Sequence, residues 1–170
     1  LKDAKAEIEE EVEASGQAEN IEVVRGPDGL IIRIKEGALF QIGGADIQDA
    51  FKSTLSRIGS VLNQMDNEVV IEGHTDNVPI KPDEFASNHY LSTGRALTVM
   101  DYFVQDVGIE QERFSVAAYG ENKPLAENGT PEGRSLNRRV EIRVLYSEGE
   151  TEAKPDSVRG LIEAASLQVR

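Results

Sequence analysis

Two hydrophobic periods alternate along this chain, and their order outlines a fold. Ile21-Glu-Val-Val-Arg25 and Leu30-Ile-Ile-Arg-Ile-Lys35 are β-branched runs on either side of Gly26-Pro27-Asp28-Gly29, so together they read as a β-hairpin. After Ala38-Leu39-Phe40-Gln41-Ile42 and a Gly43-Gly44 loop, the period lengthens. Ile47, Phe51, Leu55, Ile58, Leu62 and Met65 recur every three or four residues, one face of a helix of about five turns. Asp46 is its expected N-cap, with Asp49 favouring the same start. Glu68 to His74 predicts a short strand, and a polar loop with Pro79 and Pro82 follows.

A second long helix is expected from near Ser87 to about Asp106, with Gly108 as the residue that ends it. Phe114 to Tyr119 is the next strand. Thr130 caps and Pro131 opens a short helix, and Val140 to Leu145 closes with the alternation of a strand that has one exposed face. The order is hairpin, helix, strand, helix, strand, short helix, strand. Long helices between strands imply helices on a sheet face, and the helix-poor last connection implies a mixed sheet, hence an α+β domain.

Charge changes the picture at the ends. The 170 residues hold 31 acids and 18 bases, a net of −13. Residues 1–20 carry a net of −5 and residues 147–170 a net of −2, which leaves −6 on the middle of the chain. Leu1, Ala4, Ile8 and Val12 make a thin apolar stripe, so residues 1–20 read as an acidic linker or weak helix lying in solvent. Residues 147–170 read as an acidic C-terminal tail, and residues 21–146 as the domain. An anionic surface excludes general nucleic-acid binding, which needs a cationic field. The absence of Cys removes disulfides and thiolate chemistry. No apolar run is long enough to span a bilayer, and the start at Leu1 suggests a processed protein or a fragment whose membrane segment would lie upstream.

The candidate chemistry gathers at a strand end, where sheets of this kind bind ligands. His74-Thr75-Asp76-Asn77 leaves one strand, and Leu91-Ser92-Thr93-Gly94-Arg95 enters the next helix. On a helical wheel Arg95 falls inside the edge of the apolar arc, so its guanidinium needs a partner. Asp76 is the nearest candidate. The pair reads either as a structural ion pair or as a split site, in which Asp76 accepts an ammonium and Arg95 a carboxylate. A facial metal triad of His74, His89 and Asp76 is disfavoured by spacing, and a loop-bonded His74 is the simpler reading. Arg134, Asn137, Arg138 and Arg139 form the one cationic cluster, either a solvated run or a rim of the same pocket. No nucleophile elbow, zinc-protease helix, Walker loop or dinucleotide fingerprint is present. The Glu72 and Asp76 carboxylates offer no identifiable raised-pKa acid for glycoside cleavage.

Gly73-His-Thr-Asp76, Leu91-Ser92 with Arg95-Ala96 and Val99, Ala118-Tyr-Gly-Glu121 and Asn137-Arg-Arg-Val-Glu141 together resemble the OmpA-like peptidoglycan-binding domain over residues 38–146. The stretch His74 to Ile80 and the wide loop to Leu91 resemble its flagellar stator members of the MotB and PomB type. The resemblance implies a βαβαβ two-layer sandwich and a non-catalytic wall anchor that needs no cofactor and no metal. It implies that Asp76 and Arg95 grip the diaminopimelate of the peptidoglycan stem, with Thr75, Leu91, Asn137 and Arg138 around them. Gln41 departs from the family, many of whose members carry Asp after the Phe. The stator likeness further implies a periplasmic homodimer, held in the inner membrane beside an ion-channel subunit of the MotA or PomA type. A tether of an outer-membrane protein or lipoprotein, and a peptidoglycan-cleaving enzyme, are the alternatives.

Overall fold

Strand β1 (Ile21–Arg25) and strand β2 (Gly29–Lys35) pair antiparallel with Ile21 opposite Ile34 and Val23 opposite Ile32. The alternation of β-branched residues puts these side chains on one face. In this computed structural model, which describes residues 1–81 and 85–150, the hairpin is half of a larger sheet. Strands β3 (Val69–His74), β4 (Phe114–Gly120) and β5 (Arg139–Leu145) complete it, in the order β1-β2-β5-β3-β4. Only β3 and β4 are parallel. Strand β5 runs antiparallel to both neighbours, between β2 and β3. The expected α+β fold with a mixed sheet is therefore what forms.

The helices lie against one sheet face. Helix α3 (Asp49–Leu62) presents Phe51, Leu55, Ile58 and Leu62, and helix α4 (Asn88–Tyr102) presents Ala96 and Val99. They meet Ile32, Ile34, Ile71, Val140, Ile142 and Val144 of the sheet in the main core. Ser87 caps α4 by accepting from the Tyr90 N–H at 3.4 Å, and the helix begins where expected. A π-helical turn (Phe103–Val107) extends α4, and Gly108 ends it in the left-handed conformation at φ 86°. Between the last two strands, Thr130 accepts from the Gly133 N–H and Pro131 opens helix α5 (Pro131–Asn137).

Three expectations need correction. Helix α1 (Lys2–Ala14) is not a solvated tail: Ala4, Ile8 and Val12 are buried and pack chiefly on α3. The stripe is narrow, but α3 offers a facing surface, and Arg57 pairs with Glu11 at 2.7 Å along the rim. Helix α3 starts at Asp49, not Asp46. Ile47 is held in a bridge with Phe40, and the Gln48 amide is spent on the Gly37 and Phe40 carbonyls at 2.9 and 2.8 Å. The helix has 14 residues, or about four turns, and Met65 lies beyond it. Finally, the second face of β5 is not open to water: Arg139 and Glu141 are buried. Most of the C-terminal tail, residues 151–170, lies outside the described residues, as does part of the loop before α4.

Candidate functional site

Register brings the site together. Arg139, the first residue of β5, stands opposite Lys35 at the end of β2 and opposite His74 at the end of β3. The residues just beyond this row therefore share one end of the sheet: Glu36, Arg138, and Thr75 with Asp76. Glu36 opens the short helix α2 (Glu36–Leu39), and its N–H donates to the Arg138 carbonyl at 3.1 Å, which extends the ladder by one more step. Helix α4 adds Arg95 from above. It can lie this close because Gly73 has no side chain; a Cβ there would sit 2.2 Å from the Ser92 carbonyl oxygen.

Asp76 and Arg95 do not touch in the way expected. Arg138 Nη1 donates to Asp76 Oδ2 at 2.7 Å, and Arg138 Nε lies 2.9 Å from Glu36 Oε2. Glu36 Oε1 then lies 2.5 Å from Arg95 Nη2, a close ionic contact without hydrogen-bond alignment. The result is an alternating chain, Asp76–Arg138–Glu36–Arg95. Arg95 is further held by the Gly44 carbonyl, which accepts from Nε at 2.8 Å, and by the Phe40 ring 5.0 Å beneath its guanidinium. Asp76 Oδ1 accepts from the Val78 N–H at 3.0 Å, and Asn88 ties down the same loop through the Asp76 and Val78 carbonyls. Burial pushes the Arg95 pKa down, and the Glu36 carboxylate opposes that shift.

Of the other expected residues, only Arg138 brings a charged end to this corner, where it stays partly exposed. Thr75 is buried, its hydroxyl donating to the Asp76 carbonyl. Leu91 is buried beside α4's start. Asn137 is fully buried and its amide is saturated: Oδ1 accepts from Leu125 and Ala126, and Nδ2 donates to the Ala126 carbonyl and to Asn128. It pins the loop before α5. Arg134 donates to the Asn128 carbonyl, and Arg139 turns to the opposite sheet face. Glu36 is the residue that sequence reasoning missed. Its carboxylate meets Arg95 from just beyond the end of β2. Only the register of three strands would have revealed it.

In front of the corner lies a cleft of about 690 Å³ whose walls include Lys35, Glu36, Phe40, Gln48 and Arg138. Asp76 and Arg95 are not among its lining residues; they touch the Glu36–Arg138 pair and are 7% and 3% exposed.

A second charged cluster occupies the sheet face away from the helices. Glu141 accepts from Arg139 Nε at 2.8 Å, Arg33 Nε at 3.1 Å and Arg143 Nη2 at 3.0 Å, while Glu72 meets Arg143 Nε at 3.0 Å and His74 Nε2 at 3.2 Å. The His74 ring stacks on Tyr119. The triad of His74, His89 and Asp76 does not form: His89 contacts Asn122 instead. Glu72, His74 and Glu141 do have ligand atoms within 4.8 Å of one another. Three arginines already neutralise those carboxylates, however, so a cation would compete with charges that are in place. Burial raises the Glu72 and Glu141 pKa values, but the hydrogen bond from His74 and the pairing with Arg143 hold Glu72 below its ordinary value, and Arg139, with His74 and Arg143, does the same for Glu141. Glu72 is thus the opposite of a poised general acid, and it faces away from Asp76.

Fold and site define an α+β domain with one helix-covered sheet and an ionic corner where β2, β3, β5 and α4 converge. The chain belongs to the OmpA family, which matches residues 39–138. It is 37% identical over 147 residues to Motility protein B of Bacillus subtilis, a match that covers 85% of this chain and 56% of that protein. The chain thus spans little more than half of that relative. The structure resembles the cell wall anchor of the T6SS from Pseudomonas aeruginosa, at 31% identity and a TM-score of 0.75 over 82% of this chain and 97% of the other. It also resembles a putative MotB-like protein from Desulfovibrio vulgaris, at 25% identity and a TM-score of 0.78 over 86% and 94%. Among the described residues, no helix is long and apolar enough to cross a membrane.

Proposed function

We propose that this domain is a non-catalytic peptidoglycan anchor of a flagellar stator, holding the diaminopimelate of the stem peptide between Asp76 and Arg95. The observation that carries the reading is the ionic corner. One buried carboxylate and one buried guanidinium, each held by a backbone contact of its own, touch the Arg138 and Glu36 side chains that line a cleft large enough for a peptide end group. The free end of diaminopimelate bears an ammonium and a carboxylate, which suit Asp76 and Arg95 respectively. Likeness to Motility protein B favours the stator setting, with a periplasmic homodimer anchored in the inner membrane beside an ion-channel subunit. Likeness to a secretion-system cell wall anchor favours wall binding whichever assembly the domain serves. The corner also lacks what cleavage needs, since each carboxylate in it is paired with a guanidinium.

The test is a pull-down with purified sacculi of the diaminopimelate type. The wild type should sediment with them, and Asp76→Asn and Arg95→Ala should stay in solution. If both variants bind as the wild type does, the site is elsewhere. Release of soluble muropeptides by the wild type would instead make the protein an enzyme.

A further inference from the structure

We infer that Glu36 and Arg138 form an internal counterfeit of the ligand's end group, and that Glu36 sets the affinity of the site by competing for Arg95. The inference rests on the wall-binding reading above and deepens it.

Accessibility comes first. Asp76 and Arg95 are both nearly sealed, whereas the Glu36 and Arg138 side chains remain 18% and 38% exposed and form part of the cleft wall. A ligand arriving through the cleft meets this pair before it meets either buried residue. Charge pattern comes second. Glu36 places a carboxylate on Arg95, and Arg138 places a cation on Asp76. The two are joined to each other at 2.9 Å, so an anion and a cation already occupy the two positions that a zwitterion would take.

The exchange strands no charge. The ligand's carboxylate replaces Glu36 on Arg95 while its ammonium replaces Arg138 on Asp76. Glu36 and Arg138 keep their mutual pairing as they move toward the cleft, where solvent reaches them. Arg95 retains the Gly44 carbonyl and the Phe40 ring, and Asp76 retains the Val78 N–H, so the buried ends stay oriented. A ligand with a carboxylate alone leaves Arg138 on Asp76 and recovers only half of the exchange, so the counterfeit selects for zwitterions. Because the competent form must be uncovered, apparent affinity is lowered by the fraction of molecules in which Glu36 has let go.

The experiment is calorimetric titration of meso-diaminopimelate, alongside the sacculus pull-down, on wild type, Glu36→Gln, Glu36→Asp, Asp76→Asn and Arg95→Ala. Glu36→Gln removes the competing charge and should tighten binding about 5-fold or more, in the usual range of coupling between competing states. Glu36→Asp keeps the charge but shortens its reach to Arg95 and should give a smaller gain. It decides the matter if the Gln variant does not fold, as judged by its melting curve. Unchanged or weaker binding by the folded Glu36 variants overturns the inference and makes Glu36 a bystander or a direct ligand contact. Wild-type-like binding by Asp76→Asn and Arg95→Ala would instead refute the underlying site, an outcome the Glu36 variants cannot mimic.

Discussion

The protein holds two ionic clusters made from the same materials, each with buried members, and they differ in how they are held. On the uncovered sheet face, Arg33, Arg139, Arg143, Glu72 and Glu141 sit on three adjacent strands, with cross-strand neighbours fixed by the ladder itself. Glu141 alone accepts from three arginines. At the strand ends, Glu36, Asp76, Arg95 and Arg138 form a single-file chain in which each middle member has one partner on either side. Loss of Glu141 from the ladder takes a partner from three arginines at once. A single-file chain opening on a cleft can be broken and re-formed. Burial of charge is thus no guide to role; connectivity and access are.

The largest expected effect tests the ladder. Glu141→Gln should lower stability by about 3–5 kcal/mol in urea denaturation, the usual result of removing one partner from a buried cluster, yet leave sacculus binding by the folded fraction unchanged. A loss of binding without loss of stability would erase the distinction between the clusters. Next, Arg95→Ala should weaken binding about 30-fold or more, in line with truncating one side of a buried charge contact. Its melting temperature should fall less than that of Glu141→Gln.

Acid tests the ladder more gently. Glu72 and Glu141 have folded-state pKa values below their ordinary 4.5, so the folded protein binds fewer protons than the unfolded one. Their contribution to stability is fully present above about pH 4.5 and is lost as pH falls below it. A melting-temperature series in pH should bend downward there, and Glu141→Gln should flatten the bend. The smallest effect concerns salt. Because binding is assigned to short-range contacts on a domain of net charge −6, sacculus retention should change less than about 3-fold between roughly 50 and 200 mM salt. A steep loss would point to a long-range field instead.

Much of this was legible from residue order alone, because hairpin, long helices and strands follow local periods. That Asp76 and Arg95 end at one corner was legible too, one from its place at a strand end and the other from its angle on α4, although two intervening residues join them there. Glu36 was not, since nothing local distinguishes it from any charged residue after a strand. Its meaning depends on Lys35, Arg139 and His74 sharing one row across three strands. The ladder left a trace that reads two ways: Arg139, Glu141 and Arg143 alternate with apolar residues, as a solvent-facing edge would, and only their cross-strand neighbours bury Arg139 and Glu141. Helix α1 was misread for a related reason. A stripe of only three residues in thirteen, Ala4, Ile8 and Val12, is too thin to anchor a helix alone, and the surface that receives it belongs chiefly to α3.

That docking has a mechanical meaning. Had residues 2–14 been slack chain, a pull on them would first have drawn out roughly 45 Å of contour at extended-chain spacing before any load reached the fold. Folded as a helix of about 20 Å and fastened by Ala4, Ile8 and Val12, the segment has no such play. A pull applied there would meet the α1–α3 contact first, with no slack to take up.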